Sequence, residues 1–187
     1  FRIYCGWLKK AGMANDIHQY LPEIPKQKLA VTFVAKESKS LAHKGIDIAE
    51  KIKEAKALDM RFGCILQCMI IFGLRLKDAL YFKPTISDHG TYVKIFPNES
   101  KGSRPRNIDI MGEGARAILD EVKAKIGPKE CLGWVDESGR PMELIKNRSK
   151  YYRLMKKIGL TKRDAGATGH SIRAEYAENL AMQLGLL

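Results

Sequence analysis

The sequence predicts a mostly α, α+β domain that carries a small antiparallel β-hairpin. Three observations lead there. Apolar residues recur at helical spacing through most of the chain. Two short β-like runs, TYVKIF (91–96) and RPRNIDI (104–110), flank the turn-forming NESKGS. The order is helices, hairpin, then helices again, and no internal repeat interrupts it.

Taken in order, residues 1–10 set Ile3, Trp7 and Leu8 at helical spacing, and Gly12 suits a helix end. Pro22 and Pro25 break the stretch up to residue 30, which reads as a linker from a preceding domain. From Ser38 to Ala57 the chain is charged and amphipathic, with Ile46, Ala49, Ile52 and Lys53 on one stripe. Met60 to Phe72 is apolar on all sides, as a helix at the centre of a core must be. Gly73 breaks it, and a short helix over Leu76–Phe82 stops before Pro84. After the hairpin come helices over Gly112–Ile126, Glu143–Ile158 and from near Gly169 to Leu184.

Charge narrows the function. Thirty-three Lys and Arg against twenty-one Asp and Glu leave a net +12. That excess repels itself in a compact state, and a polyanion relieves it. Nucleic acid is the first such partner and an anionic membrane surface the second. Cys5, Cys64, Cys68 and Cys131 show neither disulfide-framework nor zinc-ligand spacing and read as buried, reduced thiols. The longest apolar run, Cys64 to Leu76, is too short and too interrupted to span a bilayer.

Three segments carry chemistry. In GLRLKDAL (73–80), Arg75 stands where an apolar helix meets a glycine turn, and Asp78 is placed to pair with it. In SKGSRPRNIDI (100–110), Lys101 occupies the hairpin tip, while Arg104 and Arg106 alternate along the following strand and can track a phosphate backbone. In GATGHSIRAEY (166–176), His170 and Arg173 share one face at the positive end of a helix, where an anion would meet both side chains and free N–H groups. Each motif alone has a bland alternative: an Arg–Asp pair at a helix junction, a soluble basic turn, a capped amphipathic helix.

Together the segments resemble one family. Arg75 in GLRxxD, Lys101 in a hairpin turn and HxxR opening a helix are similar to the tyrosine recombinase (phage integrase) catalytic domain, over roughly residues 55–187. The resemblance implies that 1–30 is the end of a DNA-clasping N-terminal domain plus linker and that 31–187 is the catalytic domain. It implies that Arg75 and Arg173 clamp the scissile phosphate and that His170 hydrogen-bonds it and helps move the proton. Lys101 would protonate the leaving 5′-oxygen, with Asp78 orienting Arg75 from behind. The implied activity is site-specific breaking and rejoining of double-stranded DNA through a 3′-phosphotyrosyl intermediate. The resemblance further implies that no metal, cofactor, small-molecule substrate or membrane takes part, that the full-length protein forms a tetramer on DNA, and that the setting is the cytoplasm, at the nucleoid, of a prokaryote, phage or mobile element.

Two departures stand out. Ala174 replaces the His or Lys that many members carry, and only fourteen residues follow Arg173. The family places a further His or Trp, then the tyrosine, beyond that point, so the expectation is a C-terminally truncated domain without its nucleophile. Tyr176 reads as core, and Tyr151 and Tyr152 precede the HxxR segment on another helix. Two rivals remain: a non-catalytic basic DNA-binding module, and a type IB topoisomerase-like enzyme with similar chemistry.

Overall fold

The computed structural model describes residues 22–25, 38–97 and 104–186. The expected helix at Ile3–Leu8, Cys5, the NESKGS turn and Lys101 lie outside the described residues. The chain divides into two compact units, 1–37 and 38–187. In the first, only the turn at Pro22–Pro25 is described. All the described helices and strands lie in the second.

A 3-10 turn, Ala42–Lys44, is closed by Gly45 in the left-handed region at φ 70°. Helix α1 (Ile48–Leu58) starts only after it, where the Asp47 carboxylate accepts the Glu50 N–H at 3.0 Å. The helix expected from Ser38 therefore begins ten residues late, because the glycine and the cap restart the backbone. Its inward face is Ile48, Ile52 and Ala55, spaced from the new start, while Ala49 and Lys53 are exposed.

Asp59 closes α1 and opens α2 (Met60–Phe72), accepting the Phe62 N–H at 3.0 Å. Its second oxygen takes the Trp134 indole N–H at 2.9 Å and lies 3.3 Å from the Lys150 ammonium. One carboxylate thus joins two helix ends to a distant loop and helix. Helix α2 is buried along almost its whole length, as its all-round apolar pattern requires. At Gly63 a Cβ would come within 2.9 Å of the Lys56 backbone, so glycine lets α1 and α2 cross closely.

Helix α3 (Leu76–Tyr81) ends before Pro84, as expected, but Pro84 itself opens a further one-turn helix, α4 (Pro84–Ser87). Proline suits a first helical position, whose N–H has no intrahelical partner. Strands β1 (Tyr92–Ile95) and β2 (Arg106–Asp109) pair antiparallel, Tyr92 opposite Asp109 and Ile95 opposite Arg106. Helices α5 (Gly112–Lys125), α6 (Leu144–Lys157) and α7 (Gly169–Gln183) complete the unit within a few residues of their expected limits. Helix α2 packs against α1, α3, α5 and α7, and α6 packs on α3. Phe62, Ile65, Met69, Phe72, Leu80, Phe82 and Leu119 form the centre of the core. Among the described residues, no helix is long and apolar enough to cross a membrane.

The hairpin is tied to α5 by ions. The Asp88 carboxylate accepts two hydrogen bonds from Arg116, at 2.7 and 3.0 Å, one from Lys123 at 2.6 Å and one from the Gly90 N–H at 3.0 Å. Arg116 first, then Lys123 and the Gly90 N–H, hold its carboxyl well below the usual carboxylate range, against the opposing effect of burial. A depressed folded pKa stabilises the fold above the unfolded value near pH 4 and loses that contribution as pH falls. Replacing Asp88 by Asn should cost about 2 kcal/mol at pH 6. By urea denaturation, the gap between variant and wild type should shrink steadily below roughly pH 4.

Candidate functional site

The site is assembled from the ends of three elements. At the end of α2, Gly73 adopts φ 57°, a left-handed turn, and a Cβ there would run into the Tyr176 ring. The turn buries Leu74 and leaves Arg75 extended at the entrance of α3. Asp78, at the third position of α3, accepts the Arg75 backbone N–H at 3.2 Å and so fixes where α3 begins.

Asp78 is fully buried, and its main partner is Arg106 on β2, whose Nη2 donates to Oδ2 at 2.5 Å. The Arg75 Nη1 lies 3.9 Å from the same oxygen, and its side chain is 43% exposed. Oδ1 is buried and has no hydrogen bond among the described residues. Arg75 is therefore anchored by its backbone while its guanidinium stays available. Arg106 is the cation that neutralises the buried carboxylate. Arg104 lies exposed ahead of β2.

The third element is α7. Thr168 caps it, accepting the Ser171 N–H at 3.4 Å, while the Ser171 hydroxyl accepts the Thr168 N–H at 3.2 Å. This reciprocal cap sets the first turn, where His170 is exposed and Arg173 half-buried. Burial first, and then the positive charges of Arg75 and Arg106, push the Arg173 guanidinium below its ordinary value, with Asp78 opposing them. Among the described residues, three guanidiniums thus share one neighbourhood with the Asp78 carboxylate. An anion arriving there would be attracted by the unbalanced charge.

Arg75, His170 and Arg173 line one cleft of about 650 Å³. Met69, Tyr151, Tyr152, Met155 and Leu160 form its apolar wall, and Lys156 and Lys162 add two further cations. Neither lysine belongs to the three sequence segments. Lys156 stands four residues after Tyr152 on α6, and this spacing on one helix face is the available signal.

The tyrosines separate by burial. The Tyr151 hydroxyl is buried, donates towards the Met69 sulfur at 3.6 Å and is pushed up by desolvation. Tyr176 is half-buried beside Gly73 and lines a different groove, with Ile70, Ile118 and Leu180. Tyr152 is 54% exposed at the cleft. Cys64, Cys68 and Cys131 are free and buried, and desolvation raises all three thiols. Among the described residues, no group of His, Cys, Asp and Glu is arranged to hold a metal ion.

Comparison with protein-family models, with curated proteins and with solved structures returns no match for this chain.

The unequal pairing of Asp78 has a measurable consequence. Arg106→Met leaves a buried carboxylate without its cation and should cost about 3 kcal/mol or more in urea unfolding. Arg75→Ala, at a half-exposed side chain, should cost about 1 kcal/mol or less. Adding Asp78→Leu to Arg106→Met should recover much of the loss, and equal costs for the two single changes would overturn the unequal pairing.

Proposed function

We propose that this chain carries the phosphate-activating part of a tyrosine-recombinase-type enzyme that breaks and rejoins double-stranded DNA. The observation that carries the reading is the convergence of Arg75, His170 and Arg173 on one cleft, from two motifs almost a hundred residues apart in sequence. A coincidental set of basic motifs has no reason to converge.

In this reading the scissile phosphate sits between Arg75 and Arg173, whose planar guanidiniums match its two non-bridging oxygens. Charge builds up on those oxygens in the pentacoordinate transition state, so donors already aimed there lower the barrier. His170 contributes a further hydrogen bond at the helix N-terminus, where the backbone field also favours an anion. Asp78 and Arg106 hold the turn that presents Arg75. Lys101 takes the general-acid role that the resemblance implies, protonating the leaving 5′-oxygen. The attacking group is a tyrosine hydroxyl, displaced in a second step by the 5′-hydroxyl of another strand, so the energy of the phosphodiester is retained. The reading assigns no nucleophile among residues 1–187.

The flanking duplex would run along α6. Arg148, Arg153, Lys156 and Lys157 are exposed on that helix, and Lys162 follows in the loop before α7. These cations suit a phosphate backbone and are independent of sequence.

Two measurements test the reading. For the binding surface, Lys156→Glu with Lys162→Glu should weaken duplex binding and reduce the slope of log affinity against log salt by roughly two. An unchanged slope would remove these lysines from the interface. For the chemistry, the polypeptide expressed with any coding sequence beyond Leu187 should form a covalent adduct with a nicked duplex. Arg173→Ala should reduce that adduct by roughly a hundredfold or more while duplex binding stays largely intact. A protein that binds duplex and never forms an adduct would be the non-catalytic module. Relaxation of supercoils without any second DNA site would indicate the topoisomerase-like alternative.

A further inference from the structure

Behind α7, away from the cleft, the segment Ser38–Gly45 lies across the helix and is bonded to it at several points. The Ser38 hydroxyl donates to the Glu178 carboxylate, and the Ala42 N–H donates to Glu175 Oε2 at 3.0 Å. The Lys44 ammonium donates to the Gly166 carbonyl and to the Ser171 hydroxyl, the latter at 3.2 Å. Leu41 and Ser40 beneath these contacts are buried. Ser171, Glu175 and Glu178 recur at helical spacing and form one flank of α7. At 100° per residue that flank lies roughly 140° around the axis from the midpoint of His170 and Arg173.

Glu175 is only 4% exposed. A carboxylate is costly to bury, and an apolar residue would satisfy packing at that position with less penalty. A directional hydrogen bond supplies something apolar packing does not, a fixed rotation of the helix about its own axis. Lys44 acts at a second point. It holds the carbonyl that precedes the helix and the serine of the capping pair, so it sets where the first turn starts.

We propose that Glu175 and Lys44 are positioning residues for His170 and Arg173: the Ser38–Gly45 strap fixes the rotation and the starting point of α7. The mechanical claim stands on the contacts above; its catalytic consequence rests on the phosphate-clamp reading. A rotation of about 15° would displace a guanidinium at the end of its side chain by roughly 2 Å, several times the roughly 0.5 Å tolerance of a preorganised site.

The test uses the whole chain, inorganic phosphate as probe, and the imidazole proton resonances of His170 at constant pH. Glu175→Ala removes the acceptor, Glu175→Gln keeps an oxygen for the Ala42 N–H, and Lys44→Met removes the second hold at an exposed position. Glu175→Ala and Lys44→Met should each move the His170 resonances and weaken phosphate binding roughly tenfold, with the first half of α2 and the hairpin unperturbed. Glu175→Gln should stay within about twofold of wild type. Unmoved His170 resonances in folded Glu175→Ala would overturn the proposal, as would Glu175→Gln behaving like Glu175→Ala. If Glu175→Ala does not fold, Lys44→Met decides by the same readout. Wild type that ignores phosphate, while His170 still moves in the alanine variant and not in the glutamine one, would sink the clamp reading and leave the positioning role intact.

Discussion

A single buried carboxylate allows the rest of the site to exist. Asp78 receives a backbone N–H from the turn after α2 and a guanidinium from β2, and it partly offsets the repulsion that Arg75 and Arg106 exert on Arg173. Without it, the repulsion among three neighbouring arginines would have no buried counter-charge. With it, the arrangement holds together and still retains more positive than negative charge. The surplus faces the cleft, since Arg75 is the most exposed member of the Asp78 ion group.

The support for Asp78 comes from close packing. Helix α2 is nearly all core, and α1, α3, α5 and α7 lie against it. The elements bearing Arg75 and Arg173 are therefore fixed to the same central helix. Tyr176 meets Gly73 directly, joining α7 to the turn that presents Arg75. The same contact accounts for the half-burial of Tyr176: its ring is part of the joint between the two elements.

Much of this is legible in the sequence, for physical reasons. A run apolar on all sides and too short to span a bilayer reads as a core helix, and α2 occupies Met60–Phe72, the span its pattern predicts. The hairpin runs and the start of α7 near Gly169 are local signals, which sequence carries well. The start of α1 differs from expectation because Gly45 and Asp47 interrupt what composition alone presents as one amphipathic stretch. Arg106 has the sequence pattern of a phosphate-tracking residue like Arg104, yet it is bonded to Asp78, 28 residues earlier. Such a pairing depends on how the hairpin folds back on α3, and no local pattern encodes it. Lys162 is likewise unmarked in the sequence, and Lys156 carries only its spacing from Tyr152; both line the cleft with residues of α7.

The contact between Gly73 and Tyr176 also bears on how relatives of this chain can diverge. Position 73 is constrained twice, by a left-handed backbone and by the ring against it, so shrinking residue 176 relieves only one of the two constraints. Position 176 is constrained once, by the space it must fill. Drift should therefore be one-sided: the aromatic side can be exchanged among residues of similar bulk, while the glycine is held in place whatever its neighbour becomes. In a lineage that kept only the fold, that glycine would be among the last residues of the segment to change, outlasting the arginine two positions later.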